Sequence, residues 1–408
     1  MSTSSSRPPR TLLLTERMAR TARLAPADVA FFLARHRGQI DLVPAGERHS
    51  YRLTVRGHAG VIVAPTCRLV IRPKIPLHNL FLLLDPTAAV SAVEDASTPR
   101  VAGEMLDFLA GQLAHRMRER VAAGLHRAYR EQSVQGPTLH GALDLPAQLR
   151  DAAGRKEQLH GRLDELTADV PCNQAVRATA DRLLASGLLG DAARQVLAGA
   201  LRGFEGVASP LPGPELFARA SPDRLTEAYR PLLDLCPLLA EGLAPGEAAG
   251  PFAGPAFLID LEHAFERYLT EGIRTSFGDR GVHVVAVQPR HRISATRPGP
   301  PEIALRPDIA LLHRGRPVLA IDAKWKRPPR VNLDIGDLHQ ALAYGAALGV
   351  RRVVLVYPGR RDRAWTYPIR SAFDVQVRVL RVVGPGEACR VSLRRLGRSL
   401  RHSLRREE

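Results

Sequence analysis

Asp308, Asp322 and Lys324 are the residues of this 408-residue sequence whose types and spacing best suit chemistry. They stand in "PDIALLHRGRPVLAIDAKWK", residues 307–326. The stretch reads as two apolar strands joined at Arg314-Gly315-Arg316, a three-residue hairpin loop with glycine supplying a left-handed conformation. That pairing sets Asp308 across from Asp322, with their Cβ atoms about 5 Å apart. Strand side chains alternate faces, so Asp322 and Lys324 point one way while Ile321, Ala323 and Trp325 point the other. Two carboxylates held so close repel unless a cation lies between them. Hard divalent ions such as Mg²⁺ are bound by one or two carboxylates, with waters completing the shell. Such an ion acidifies a water and offsets charge on a scissile phosphate.

The lysine is unusual in itself. Lys and Arg total 58, yet the only lysines are Lys74, Lys156, Lys324 and Lys326, two of them inside "AIDAKWK". A chain so biased toward arginine spells an ordinary surface cation as Arg. Lysine can orient or deprotonate an attacking water, a task for which the broad guanidinium, with a pKa above about 12, is poorly suited. Lys326 shares the face of Lys324 and is the lesser candidate for the same role. Asp308–x13–Asp322–x–Lys324 matches the PD-(D/E)xK nuclease pattern. A polar hairpin edge would carry the same letters, so the flanking elements have to decide.

Those elements agree with the pattern. A helix "FLIDLEHAFERYLTEGI" carrying Glu262 and Glu266 leads into a strand "VHVVAVQ", a proline-rich loop at 298–301 and the strands "ALRPDIALLH" and "PVLAIDAKW". A helix "IGDLHQALAYGAALG" follows, with Asp337, Gln340 and Tyr344 on one face, and then a strand "RVVLVYP". The order α-β-β-β-α-β predicts an α/β fold whose mixed sheet is flanked by helices, the order these nucleases use.

Upstream, residues 1 to about 24 are polar and arginine-rich and read as poorly ordered. From about 26 to 76 the text is β-like, with Gly57, Gly60 and Pro65 as turn signals. Helical periodicity dominates from 78 to about 240, as in 104–130 and 173–189, the latter with Asp169 or Asn173 as its cap. "LAPGEAAGPFAGPA" at 243–256 is the strongest linker candidate. The expected division is a β-rich N-terminal domain (1–85), a mainly helical middle region (86–250) and a C-terminal domain (251–408). The closing "RVSLRRLGRSLRHSLRREE", with seven arginines, reads as a solvated or nucleic-acid-contacting extension.

Composition narrows the function classes. A net charge of +17 suggests a polyanionic partner, with nucleic acid first and an anionic membrane surface second. Arginine-heavy usage can also reflect genome composition. Four scattered cysteines without a C-x-x-C pair argue against a zinc site or a disulfide framework and fit a reducing cytoplasm. No apolar run approaches a membrane span, and no signal peptide is evident. No phosphate-binding G-x-x-x-x-G-K-[ST], H-E-x-x-H or G-x-S-x-G occurs. His263 and His339 read as helix-surface residues.

Several segments, in order from about residue 50 to 358, resemble the McrC family. They are "VRGHAGVIVAPTCRLVIRPKI" with its I-x-P-K-I phrase, "GLHRAYREQ", "LHGALDL", "DELTADVPCNQAVRATADRLL", "FLIDLEHAFERYL", "LRPDIAL", "LAIDAKWK", "DLHQALAYG" and "VVLVYP". One departure is Ala142, where a basic residue is expected. The resemblance implies the nuclease subunit of a modified-cytosine-dependent restriction system, partnered by a separate GTP-hydrolysing AAA+ subunit of McrB type and acting on double-stranded DNA. It makes Asp308, Asp322 and Lys324 the catalytic set, with Glu266 and Gln340 in support and Glu266 joining the two aspartates around Mg²⁺. It assigns partner engagement to the segment around 50–76. Two alternatives remain: a catalytically silent adaptor of an AAA+ motor, and a stand-alone repair nuclease of the same fold. The intact Asp308, Asp322 and Lys324 favour the nuclease over the adaptor, and the long N-terminal half disfavours the stand-alone enzyme.

Overall fold

The computed structural model describes residues 10–84, 103–151, 158–243, 255–277, 283–293, 303–329, 332–369 and 373–405. The first of these segments forms β1 (Arg10–Thr15), β2 (Arg20–Arg23), the helix Pro26–Arg35, β3 (Ile40–Pro44), β4 (Ser50–Val55), β5 (His58–Val63), β6 (Cys67–Arg72) and the helix Leu77–Leu84. The strands make two sheets, β2-β4-β3 and one in which β1 runs parallel to β6 and β6 antiparallel to β5. Alternation explains the core between them. Leu12 and Leu14 from β1 and Leu69 and Ile71 from β6 bury against Phe31 and Phe32 of the helix.

Two expectations fail here. Residues 10–15 and 20–23 are strands, not a disordered lead-in, because the apolar "LLL" supplies a strand face. The stretch from 26 opens with a helix, which Pro26 starts at its first turn.

The middle segments hold the helix Gly103–Ala122, β7 (Ala128–Gly136), β8 (Ala142–Leu143), the helix Leu145–Asp151, β9 (Leu159–Thr167) and the helices Pro171–Ala185, Asp191–Leu201, Pro214–Arg219 and Arg230–Gly242. A three-stranded sheet, β7-β9-β8, therefore interrupts a region expected to be mainly helical. Its strands are exposed on both faces and show no apolar alternation to read. Polar cross-strand contacts help hold it, such as Gln132 Nε2 donating to Glu165 Oε2 at 2.6 Å. Neither Asp169 nor Asn173 caps the helix at 171. Val170 is the cap residue and Pro171 starts the first turn, while Asp169 accepts from Gln174 and Asn173 donates to the His126 and Ala168 carbonyls.

The C-terminal segments hold β10 (Ala256–Asp260), the helix Leu261–Phe277, β11 (His283–Val287), β12 (His291–Ile293), β13 (Ile303–Leu305), β14 (Ile309–His313), β15 (Arg316–Ala323), the helix Ile335–Leu348, β16 (Arg352–Gly359), β17 (Arg363–Ile369), β18 (Phe373–Arg381) and the helix Gly386–Arg405. Six of these strands form a mixed sheet in the order β11-β14-β15-β16-β18-β17. β15, β16 and β18 run parallel and the outer pairs antiparallel. Val353, Leu355, Val375 and Val377 from its centre bury against Ala341 and Tyr344 of the helix Ile335–Leu348. "ALRPDIALLH" is two strands, not one, since the chain turns out of the sheet around Pro307. The proline-rich loop at 298–301 lies outside the described residues.

The chain divides into two compact units, Met1–Met105 with Ala244–Glu408, and Leu106–Leu243. What joins the two ends of the chain is β10, which pairs antiparallel with β5 and completes the N-terminal sheet as β1-β6-β5-β10. Gly60, at φ +148, permits that pairing, because a Cβ there would collide with the Phe257 carbonyl. Most of the linker candidate at 243–256 lies outside the described residues.

The arginine-rich C-terminus is not a solvated extension. It forms an amphipathic helix with Cys389, Leu393, Leu396, Leu400 and Leu404 buried and its arginines largely on the other side. The helix packs on Leu261–Phe277, where Gly272 makes room for the Leu393 side chain. Leu400→Ala is expected to lower the unfolding free energy by about 2–5 kcal/mol, as for any fully buried leucine. Denaturant titration reads this, and an unchanged midpoint would restore the solvated-tail reading.

Candidate active site

The β14–β15 hairpin turns on two residues, Arg314 at φ 50 and Gly315 at φ 78, rather than the expected three. A bulge between Leu311 and Leu312 compensates for the missing loop residue, so Ile309 still faces Ile321. Asp308, one residue before β14, consequently arrives beside Asp322 of β15. Its Oδ2 accepts the Ala323 N–H at 2.6 Å, and its carbonyl accepts the Gln288 N–H at 2.7 Å. The side chain is thus tied to one neighbouring segment and the backbone to another.

Asp322 sits between β14 and β16 with its side chain only 3% exposed. Lys324 extends the strand, its N–H donating to the Val356 carbonyl at 2.8 Å. Its ammonium ion-pairs with Asp322 Oδ2 and donates to Gln340 Oε1 at 2.5 Å. Gln340 Nε2 reaches Asp322 Oδ1 at 3.4 Å and donates to Tyr344 Oη at 2.8 Å, and Tyr344 in turn donates to the Arg306 carbonyl at 3.0 Å. One face of the helix Ile335–Leu348 therefore supplies Asp337, Gln340 and Tyr344 to the site. Asp334 caps that helix, accepting from the Asp337 N–H at 3.2 Å.

Lys326 is otherwise engaged. It pairs with Asp337 at 2.8 Å and with Asp334 at 3.4 Å, and Tyr357 donates to the same Asp337 carboxylate at 2.5 Å. Glu266, on the helix Leu261–Phe277, accepts from Gln288 Nε2 at 2.6 Å and has His263 at 3.8 Å. The structure therefore brings Asp308, Asp322, Lys324 and Gln340 into one network. Glu266 joins them through Gln288 and through its charge.

Burial, then the adjacent Asp322 carboxylate, push Asp308 up to about 7, with Glu266 adding to the rise and the Ala323 N–H and Lys324 opposing it. Burial likewise raises Asp322, against the pull of Lys324. Apart from the Lys324 ion pair, Asp322 Oδ2 is buried without a hydrogen-bond donor. An acidic pair, one member buried and one half-buried, short of positive charge and made of hard oxygen donors, fits a divalent cation such as Mg²⁺, which needs only one or two carboxylates. Among the described residues, no three His, Cys, Asp or Glu side chains are gathered as a metal-binding group, and Glu266 acts on the two aspartates through its charge. Gln288, Arg306 and Tyr357 were not singled out by sequence. Gln288 closes the "VHVVAVQ" strand and had a readable position, but its partners lie in other elements.

Fold and site together define an α/β protein whose mixed sheet holds a buried and a half-buried carboxylate and a lysine at neighbouring strand ends, met by a glutamine from the helix Ile335–Leu348. A family model described as McrBC 5-methylcytosine restriction system component matches residues 53–358, and the chain belongs to that family. Among solved structures, the chain is similar to one in the "Refined half-complex from tetradecameric assembly of Thermococcus gammatolerans McrB AAA+ hexamers with bound McrC", at 16% identity and TM-score 0.58, covering 95% of this chain and all 100% of that one. A second match is in the "Cryo-EM structure of the Thermococcus gammatolerans McrBC complex", at 17% identity and TM-score 0.44, covering 66% of this chain and 88% of that one. No curated protein sequence matches the chain. Among the described residues no helix is long and apolar enough to cross a membrane.

Proposed function

We propose that the chain is the DNA-cleaving, McrC-type subunit of a modified-cytosine restriction system, with a PD-(D/E)xK site that uses Mg²⁺ and a McrB-type AAA+ GTPase as partner. The observation that carries this is the Asp308–Asp322–Lys324–Gln340 network, set inside a chain of the McrBC family. Asp308 and Asp322 would hold the metal. Bound there, Mg²⁺ supplies Lewis acidity, acidifying a water and offsetting charge on the scissile phosphate.

The chain's own residues do the rest. Lys324 lies against a carboxylate and an amide oxygen and stands ready as a donor. It orients the attacking water and meets the charge that develops on the phosphate as a P–O bond to the leaving oxygen breaks. Gln340 and Tyr344 fix the lysine's position, and the short reach from Tyr344 to the Arg306 carbonyl locks the helix to the strand end. Gln288 holds Glu266 beside the acidic pair, which keeps the site electronegative enough to favour a cation over a bare lysine.

A basic groove supports a DNA substrate. Arg327, Arg360, Arg361 and Arg363, with Pro328 and Gly359, line a cleft of about 370 Å³. It lies just past the carboxyl ends of β15 and β16, the side of the sheet that bears Lys324. The double substitution Arg360→Ala with Arg361→Ala is expected to weaken DNA binding equally for all sequences. It should also flatten the slope of log affinity against log salt by about 2, near 0.9 for each phosphate no longer neutralised. An unchanged slope removes the groove from the binding surface.

The function itself is tested by incubating the full chain with a McrB-type hexamer, GTP and a 5-methylcytosine-bearing plasmid. Double-strand cutting is expected with Mg²⁺ and none when EDTA removes it. Stimulated GTP hydrolysis without cutting would instead establish the silent adaptor.

A further inference from the structure

We propose that Glu16 and Lys74 are positioning residues for Lys324, acting through Trp325 as a clamp that ties the N-terminal sheet to the strand end bearing the site. This rests on the nuclease reading above and extends it to residues far from the motif.

The geometry converges on a single side chain. Trp325 follows Lys324 and is 2% exposed. Its indole N–H donates to both oxygens of Glu16 at 3.0 Å. Its carbonyl accepts from the Lys74 ammonium at 3.1 Å, and the same ammonium lies 4.2 Å from the centre of its ring. Phe265, next to Glu266, tilts against the ring at 5.5 Å. Glu16 and Lys74 come together because β1 and β6 are parallel neighbours. Glu16 follows β1, Lys74 lies two residues past β6, the Glu16 N–H donates to the Arg72 carbonyl at 2.9 Å, and the Lys74 N–H reaches Glu16 Oε1 at 3.3 Å.

The result is a fixed peptide on either side of Lys324. Ala323 N–H is held by Asp308, Lys324 N–H by the Val356 carbonyl, the Lys324 carbonyl by Lys326 N–H at 2.7 Å, and the Trp325 carbonyl by Lys74. Beside the clamp, Arg17 pairs with Glu262 on the helix that carries Phe265 and Glu266.

Packing alone does not explain the arrangement. A buried tryptophan needs one acceptor for its indole, and a neutral one would serve. Here a carboxylate that is 1% exposed is drawn up from its ordinary pKa by burial, and the lysine is pushed down to about 8 by the same cause. Charged groups are seldom needed inside a fold for stability alone, since apolar replacements are often neutral or stabilising. The charges are therefore better accounted for by placement of the residue they hold. Misplacement of a catalytic group by about 1 Å costs on the order of 10²-fold. This arrangement also uses the rare lysines consistently: all three in the described segments, Lys74, Lys324 and Lys326, meet within four residues of Asp322 or touch that stretch.

The test uses the full chain with a McrB-type hexamer, GTP, Mg²⁺ and a 5-methylcytosine-bearing plasmid. Lys74→Met and Glu16→Ala are expected to lower the cleavage kcat about 10- to 10²-fold. The DNA concentration for half-maximal rate should stay within about twofold, and partner GTP hydrolysis should be unchanged in Glu16→Ala, whose position lies outside the segment 50–76. Lys74→Arg and Glu16→Gln, which keep a cation and an indole acceptor, should recover most of the loss. In a Trp365→Phe background, leaving Trp325 as the sole tryptophan, Lys74→Met should change the emission and raise acrylamide quenching. If both disruptive variants cut at the wild-type rate while Lys324→Ala is inactive, the clamp is overturned and the nuclease reading stands. If Lys324→Ala cuts normally, that reading falls and the clamp with it. Loss of cutting that tracks a lowered unfolding midpoint, with no rescue by the conservative variants, makes these residues structural only and overturns the proposal.

Discussion

Asp308→Asn or Asp322→Asn is expected to reduce DNA cleavage on the order of 10³-fold or more while leaving assembly with the motor intact. Several kcal/mol of transition-state stabilisation are at stake when a metal-holding carboxylate is lost, and each ~1.36 kcal/mol is tenfold. Asparagine is the sharper substitution. At 308 it keeps an oxygen to accept the Ala323 N–H, so the hairpin retains its tie while the charge disappears. Burial and Asp322 already hold the Asp308 carboxyl up near 7, so removing its charge relieves repulsion in the metal-free protein. The unfolding midpoint should accordingly be equal to or above that of the parent chain, a combination that separates a catalytic carboxylate from a structural one. Cleavage and thermal unfolding are measured side by side. Wild-type cutting by either variant would remove the two aspartates from the site. A fall in stability matching the fall in activity would make them structural.

What could be read from sequence was what is local. Alternation along β15 placed Asp322 with Lys324 and opposite Trp325, and the hairpin brought Asp308 alongside even though its loop is one residue shorter than expected. The bulge absorbed the difference near the turn, where it did not touch the site. Spacings of three and four residues likewise gathered Asp337, Gln340 and Tyr344 on one helix face. Pairings between distant segments left no such trace. Nothing in "AFLID" announces that it pairs with β5 some two hundred residues earlier, nor in "LLLTER" that Glu16 grips an indole at position 325. Charge also concealed pattern. Leu393, Leu396, Leu400 and Leu404 repeat at helical spacing, but seven arginines in the same stretch made it read as a solvated tail. The β7–β9 ribbon hid for the opposite reason, since a strand exposed on both faces has no apolar period to detect.

Lys324→Arg is expected to cost on the order of 10²-fold in cleavage rate, the size of a lost proton-handling or water-orienting group, with DNA affinity nearly unchanged. The substitution keeps the charge, so a purely electrostatic role predicts near-normal activity. The site predicts otherwise, because the Lys324 side chain is 15% exposed and its ammonium is held between the Asp322 carboxylate and Gln340 Oε1 at 2.5 Å. A guanidinium is longer, planar and carries its donors in a fixed fork, so it cannot occupy that gap without displacing Gln340 from Tyr344. Lys326 offers no substitute, being committed to Asp337 and Asp334 at the helix start. Affinity should hold because one charge is a small part of the phosphate-neutralising capacity of a chain with net charge +17. Both quantities are to be measured at one salt concentration. A variant that binds and cuts like the parent would show that any cation at position 324 suffices, and that the scarcity of lysine elsewhere in the chain has no bearing on the chemistry here.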